Sequence, residues 1–207
     1  MNDGEMKRLL QERIGFGTRL PHVPNRGDYD LNPHLRDEQS LALKLKPAAV
    51  LVPIVERREG LSILFTRRAD HLARHAGQVS FPGGRVNEDE ANAIDAALRE
   101  TEEEVGLSRS FVQIFGDLDY YETGTGFSIH PFVGFVREGF ELKIDASEVA
   151  EVFEVPLLFF LDRQNHVQAT ANWQGRERRY YDMTYGRHRI WGATAGILIN
   201  LYDALYG

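Results

Sequence analysis

The chain has 207 residues, 43% hydrophobic and 27% charged, with no cysteine. That composition suits one globular domain with an ordinary core, and it excludes disulfides and thiolate metal sites. The formal net charge is −7, the wrong sign for a broad nucleic-acid footprint.

Taken in order, Asp3 to Arg13 carries Met6, Leu9, Leu10 and Ile14 at helical spacing. Gly15 to about Gln39 is rich in Pro, Asn, Arg and Asp and reads as an irregular segment. Together these predict an N-terminal extension over 1–45 and a main domain over 46–207. Ala48–Val55 and Leu61–Thr66 read as buried strands around an Arg57–Gly60 hairpin. Gln78–Phe81 is a brief extended piece entering the turn Pro82-Gly83-Gly84. A helix is predicted from about Glu88 to Val105, stopped by Gly106, with Ile94, Leu98, Thr101 and Val105 as its buried stripe. Phe111–Tyr121 and Phe127–Arg137 read as strands, Leu142–Ile144 as a short edge piece, Val152–Val155 as a strand and Leu157–Leu161 as a short helix. Two alternating stretches, His166–Trp173 and Arg178–Tyr185, suit a hairpin through Gln174-Gly175. Ile190–Tyr206 reads as a closing apolar helix. The fold class expected is α+β. No run approaches the ~18 apolar residues a bilayer span requires. The N-terminal stretch also lacks the apolar core of a signal peptide, so a cytoplasmic protein with no membrane or nucleic-acid partner is expected.

The charge is concentrated. Between Glu88 and Glu104 eight acids face one base, Arg99, which accounts for the whole net charge. Glu100, Glu102, Glu103 and Glu104 crowd the C-terminal turn of the predicted helix, where the macrodipole favours cations. Each anion there costs roughly 0.3–1 kcal/mol. Glu100 and Glu104 share a face, and Arg99 lies four residues before Glu103. A bound cation removes the penalty, and carboxylates suit a hard ion such as Mg²⁺; the competing reading is a solvated acidic face. Glu90, placed on the same long helix about ten residues from Glu100, lies ~15 Å away. On that spacing it caps the loop or holds the fold. Upstream, Arg67 to Arg85 holds four arginines and a single acid. Arginine forks match phosphate oxygens, so the block suits a polyphosphate small-molecule substrate. Gly83 and Gly84 allow close backbone approach to a ligand. His71 and His75, four apart, lack a third ligand and read as loop residues rather than a zinc pair.

Gly84, Glu90 and Arg99-Glu100-Thr101-Glu102-Glu103-Glu104-Val105-Gly106-Leu107 resemble the box of the Nudix hydrolases. The spacing from Glu90 to Arg99 is eight residues where the family has seven, and Thr101 takes an apolar place. The resemblance implies the family's α/β/α sandwich, with a mixed sheet and the box as loop–helix–loop. It also implies diphosphate hydrolysis with Mg²⁺ or Mn²⁺. Glu100, Glu103 and Glu104 are then the metal-ligand candidates and Arg99 orients Glu103. Glu148, Glu151 and Glu154 are candidates for the general base, with Glu148 the best match in position and Glu103 the alternative. Leu64, Thr66, Arg68, Ala69, Gly77 and Phe81–Gly84 resemble the signature of the coenzyme A pyrophosphatase subfamily. Ala73 departs from it, with Arg74 one place later. Arg68, Arg74, Gly83 and Gly84 are the substrate-binding candidates. The implied reaction cleaves coenzyme A or its derivatives to 3′,5′-ADP and 4′-phosphopantetheine. Another nucleoside diphosphate derivative, or a non-catalytic nucleotide binder, are the competing readings. The family also makes a homodimer an open expectation, with the N-terminal extension or the terminal helix available for its interface.

Overall fold

The computed structural model describes residues 2–17, 26–36, 44–87, 89–173 and 175–207. Its frame is a nine-stranded mixed sheet built on two long parallel neighbours, β2 (Lys46–Arg57) and β8 (Phe127–Val136), paired from Lys46↔Phe127 to Val55↔Val136. On one flank of β2, β3 (Gly60–Arg68) forms the predicted hairpin, with Arg57 opposite Gly60. Next to β3 lie β4 (Val79–Ser80) and β9 (Val149–Pro156). On the outer flank of β8 run β6 (Val112–Asp117) and β7 (Tyr121–Glu122), and β7 pairs with β1 (Arg26–Gly27). A second sheet contains β10 (Val167–Trp173), β11 (Arg176–Tyr185) and β12 (His188–Trp191). Among the described residues four α-helices accompany the sheets: α1 (Asp3–Arg13), α2 (Ala93–Val105), α3 (Leu157–Leu161) and α4 (Ala193–Tyr206).

Strand alternation sorts the core into two layers. Val52 and Ile54 of β2, with Ile63 and Phe65 of β3, face the large cluster that contains Met6, Leu10 and Ile14 of α1 and Ile197, Leu198 and Leu201 of α4. Ala49, on the opposite face, meets Ala96 and Ala97 of α2 beside Phe132. Helices therefore cover both faces of the sheet. Asn2 closes a capping box with Glu5 at the start of α1, each backbone N–H meeting the other's side chain at 2.9 Å.

Pro53 in a central strand would ordinarily leave a gap in the ladder. Here β2 changes partners at that point. It pairs with β5 (Gly83–Arg85) through Val50 and with β3 only from Ile54 onward. Phe81 and Pro82 bridge the divide, and the Leu51 N–H donates to the Pro82 carbonyl at 3.0 Å. The split lays Gly83 and Gly84 on the sheet beneath α2.

Several sequence expectations shift. The central helix begins at Ala93, because Asn92 accepts the Asp95 N–H at 2.9 Å and fixes the N-cap there; the expected start at Glu88 lies outside the described residues. Its deepest residues are Ala96, Ala97, Thr101, Glu104 and Val105, while Ile94 and Leu98 are only half-buried. Alanines let the helix sit close on β2, which turns the buried stripe away from the bulkier side chains. Phe111–Tyr121 breaks into β6 and β7. Leu142–Ile144 is not a strand: Lys143 donates its N–H to Val105 and Asp145 to Glu104, so the segment clips the helix C-terminus instead. Ile190 and Trp191 end β12, and α4 starts after Gly192, whose φ of 63° breaks the path. Within the irregular stretch, Asn32 clamps Arg26–Arg36 onto β11. Its amide donates to the Asp28 and Arg179 carbonyls, and its oxygen accepts the Arg179 N–H. Residues 18–25 and 37–39 of that stretch, and 40–43 after it, lie outside the described residues.

Candidate active site

The site gathers where β5, the C-terminal half of α2 and the loops before β4 and β9 meet. Gly106 takes the left-handed conformation (φ 70°) that ends α2. The orphan carbonyls of the last turn are met by Gly106, Lys143 and Asp145 N–H groups. Asp145 also accepts the Ser147 N–H and hydroxyl, a local turn that presents Glu148. The Glu148 carbonyl in turn accepts the Ala69 N–H at 2.8 Å, and His71 Nε2 lies 3.1 Å from the Ser147 carbonyl. The loop following Arg68 and the loop bearing Glu148 are thus stitched together. His75 reaches Gln78 instead, at 2.8 Å, so the two histidines do not converge.

Glu104 is the buried acid of the group, 4% exposed. Its carboxylate accepts the Gly83 N–H at 3.2 Å. Burial pushes its pKa up to about 7. Gly83 and the charge of Arg68 pull it down, and the neighbouring charges of Glu100 and Glu148 push it further up. Arg68, Glu100, Glu104 and Glu148 therefore share one electrostatic neighbourhood. The Arg68 Nε is buried with no hydrogen-bond partner among the described residues.

Arg99 organises the other carboxylates. Its guanidinium donates to Glu90 at 2.9 Å, to Glu100 and Glu103 at 2.8 Å each, and to the Arg85 carbonyl at 3.3 Å. The hydrogen bond to Glu90 is the largest cause of the upward shift in the Arg99 pKa, and the same bond holds the Glu90 carboxyl below its ordinary range. The ~15 Å separation expected between Glu90 and Glu100 is corrected by this fork. Because α2 starts late, the loop folds Glu90 back beside Arg99, where it also accepts the Asn87 N–H. Glu103 stays well exposed, its side chain 59% accessible.

Of the other acids weighed for proton transfer, burial opposes ionisation of Glu154. Arg57 and Ser62 outweigh it and hold the carboxyl low. Glu151 is likewise held low against burial by Arg187 and His188. Both are committed to pairs, whereas Glu148 is exposed and has no side-chain hydrogen bond among the described residues. Arg74 lies exposed in the Ala69–Gln78 loop, likewise without a partner among the described residues.

The two glycines differ in what they protect. A Cβ on Gly83, at φ 146°, would overlap the backbone of Ala49 and Val50; on Gly84 it would overlap only the Glu100 carboxyl. Gly83→Ala is therefore expected to destabilise the fold by roughly 3 kcal/mol. Gly84→Ala should keep a near wild-type melting curve, with the loss confined to activity through a displaced Glu100. Circular dichroism melts beside activity measurements check the contrast.

Among the described residues, no three His, Asp or Glu side chains are already gathered as a metal cage. Arg99 instead draws Glu100 and Glu103 toward itself. The donor chemistry nevertheless suits a hard cation. Glu100, Glu103 and Glu104 offer only carboxylate oxygens, and the penalty on ionised Glu104 is one that a divalent ion would relieve.

The NUDIX domain family matches residues 45–175. The chain is 41% identical over 154 residues to a protein of Yersinia enterocolitica named "Uncharacterized Nudix hydrolase NudL", covering 74% of this chain and 78% of that one. Its similarity to the NudL protein of Escherichia coli is 39% over 171 residues, 83% and 87% of the two chains. Among solved structures, a MutT/nudix family protein from Enterococcus faecalis superimposes with a TM-score of 0.49 at 15% identity, over 98% of this chain and 74% of that one. No helix among the described residues is long and apolar enough to cross a membrane.

Proposed function

Because this chain belongs to the Nudix hydrolases, acting on the diphosphate of a nucleoside diphosphate derivative, we propose that its substrate is coenzyme A or a coenzyme A derivative. The products are then 3′,5′-ADP and 4′-phosphopantetheine or its acyl form. The observation that carries this reading is the convergence of Arg68 with Glu100, Glu104 and Glu148. Arg68 belongs to the upstream segment that resembles the coenzyme A signature, and its buried Nε has no partner among the described residues. A guanidinium in that state is poised for a phosphate oxygen.

Glu100, Glu103 and Glu104 would hold Mg²⁺ or Mn²⁺. The bound cation would polarise the diphosphate and offset the charge that develops on its oxygens. The chain's own groups do the rest. Gly83 fixes the Glu104 carboxylate, and the bare Gly84 backbone leaves room for Glu100 and for a phosphate. Arg99 sets the rotamers of Glu100 and Glu103 without touching substrate. Arg68 binds the diphosphate and offsets its charge. Glu148, exposed and uncommitted, takes the proton from the attacking water. Arg74, from its exposed loop, extends the cationic surface toward the outer phosphates.

The test is turnover of coenzyme A, ADP-ribose, NADH and a dinucleoside polyphosphate, each with Mg²⁺ and with Mn²⁺, products identified by mass. Coenzyme A should give the highest kcat/KM, and Glu148→Gln should lower kcat on it by about 10²-fold or more. Turnover of ADP-ribose equal to that of coenzyme A would end the substrate assignment. A Glu148→Gln variant with unchanged kcat would end the base assignment.

A further inference from the structure

Strand register puts a second group of cations beside the box. Lys46 pairs with Phe127 across β2 and β8, and Ala48 pairs with Arg85 across β2 and β5. Paired residues share a face of the sheet, and so do residues two apart in one strand. Lys46, Arg85 and Phe127 therefore occupy one face at one end of the sheet. Ala49 meets α2, so its neighbour Ala48, and with it these three side chains, faces the other way. The Lys46 ammonium sits 5.9 Å and the Arg85 guanidinium 5.8 Å from the centre of the Phe127 ring, inside the range of a cation–π contact.

The backbone fixes all three. The Thr123 N–H donates to the Phe127 carbonyl at 2.9 Å, and the Phe127 N–H to the Thr123 hydroxyl at 3.0 Å. The Lys46 N–H donates to Gly126 at 2.9 Å, and the Val86 N–H to Pro47 at 3.2 Å. Both cations are exposed, and neither has an acidic partner among the described residues. Other cations near the box are committed, Arg67 to Asp70 and Arg99 to three glutamates. Two like charges drawn to one ring repel each other, and a shared anion would remove that cost.

The pair also adjoins the site already described. Arg85 directly follows Gly84, whose own face carries Glu100, and its carbonyl accepts from Arg99 at 3.3 Å. Strand β5 has β2 as its one partner strand among the described residues. Its free edge therefore joins the face of Glu100 to the face of Arg85.

We propose that Lys46 and Arg85, positioned by Phe127, form a subsite for a phosphomonoester carried on the ribose of the substrate. On the coenzyme A reading, on which this assignment rests, that group is the 3′-phosphate. It hangs from the same sugar as the 5′-diphosphate, as a subsite next to Gly84 requires. The guanidinium offers a fork to two phosphate oxygens, and the ammonium adds a point charge.

The test compares two nucleotides that differ only in this group. In titration calorimetry with Mg²⁺, adenosine 3′,5′-bisphosphate should bind the wild-type chain about 10- to 100-fold more tightly than AMP. Lys46→Gln combined with Arg85→Gln should erase that ratio and leave AMP binding and the melting temperature unchanged. Phe127→Leu keeps both charges and should lower the ratio several-fold, again with AMP binding unchanged. Arg58→Gln, just past the far end of β2, should keep the wild-type ratio. In turnover, the double variant should raise KM for coenzyme A by the same factor, with KM for 3′-dephospho-coenzyme A and both kcat values unchanged. Equal affinity of the wild-type chain for the two nucleotides overturns the proposal. So does a double variant that keeps the ratio or weakens both nucleotides alike. If the nucleotide ratio behaves as expected but coenzyme A is turned over no better than ADP-ribose, the subsite stands and the coenzyme A assignment alone falls.

Discussion

Replacing Glu104 with Gln is expected to lower turnover by roughly 10³-fold while making the metal-free protein more stable at pH 8. The activity loss follows from removing a proposed cation ligand; about 4 kcal/mol of transition-state stabilisation corresponds to that factor. The stability gain follows from the carboxyl's own titration. Its pKa rises from an ordinary 4.5 to about 7 in the folded chain, with burial the largest cause. Below pH 4.5 the group is protonated in both states and contributes nothing. Between 4.5 and 7 the unfolded chain releases the proton more readily, so folding is progressively penalised. Above 7 the full penalty applies, on the order of 3 kcal/mol. Gln keeps an oxygen for the Gly83 N–H and carries no charge to desolvate. Urea melts with chelator at pH 4 and pH 8 should therefore coincide at the lower pH and separate at the higher. Mn²⁺ should raise the wild-type melting temperature far more than that of the variant. If the two proteins melt together at pH 8, the account of Glu104 as a penalised buried anion is wrong.

Arg99→Ala should be costly in both currencies. It strips one fork from Glu90, Glu100 and Glu103 at once and leaves three carboxylates facing one another. The Arg99 side chain is 28% exposed and that of Glu90 11%, so the loss sits between a surface pair and a buried one, at about 2 kcal/mol. Activity should fall roughly 10- to 100-fold, the usual effect of removing a group that orients metal ligands. Because the Glu90 carboxyl is held below 4.5 by this arginine, the stabilisation is full above that pH. It fades as pH falls through the folded value, so wild type and variant should converge in acid. Arg99→Lys should recover little, since one ammonium cannot satisfy three separated carboxylates. Guanidinium melts over a pH series, set beside kcat, measure both effects; a pH-independent difference would mean that Glu90 is not the partner that matters.

The box could be read from sequence because helix periodicity and residue chemistry coincide in it: Arg99, Glu100, Glu103 and Glu104 fall within two turns, and Gly106 ends them. Its extra residue between Glu90 and Arg99 was legible only as a departure. The structure places all of Ala91 and Asn92 before the helix, so the insertion is absorbed in the loop and Arg99 still reaches Glu90. Composition alone extends α2 back to about Glu88 because the acid-rich loop continues a helical composition; only the Asn92 cap marks the boundary at Ala93. Other features depend on partners distant in the chain. Lys143 and Asp145 gave no strand because their N–H groups serve the carbonyls of Val105 and Glu104, and nothing local in Leu-Lys-Ile-Asp announces that. The Gly83 bond to Glu104 likewise depends on the strand split at Pro53, and the nearness of Arg68 and Glu148 on the distant pairing of Arg68 with Val149 at the ends of β3 and β9.

The Gly83–Glu104 hydrogen bond has a spectroscopic consequence. A glycine amide donating to a carboxylate that titrates near neutrality shifts its proton resonance downfield as that carboxylate ionises, and shifts again when the oxygen turns to a cation. With selectively ¹⁵N-labelled glycine, the Gly83 cross-peak becomes a gauge of charge at the heart of the box. It can be followed through a pH titration or a titration with diamagnetic Mg²⁺, with no substrate present and no turnover to measure.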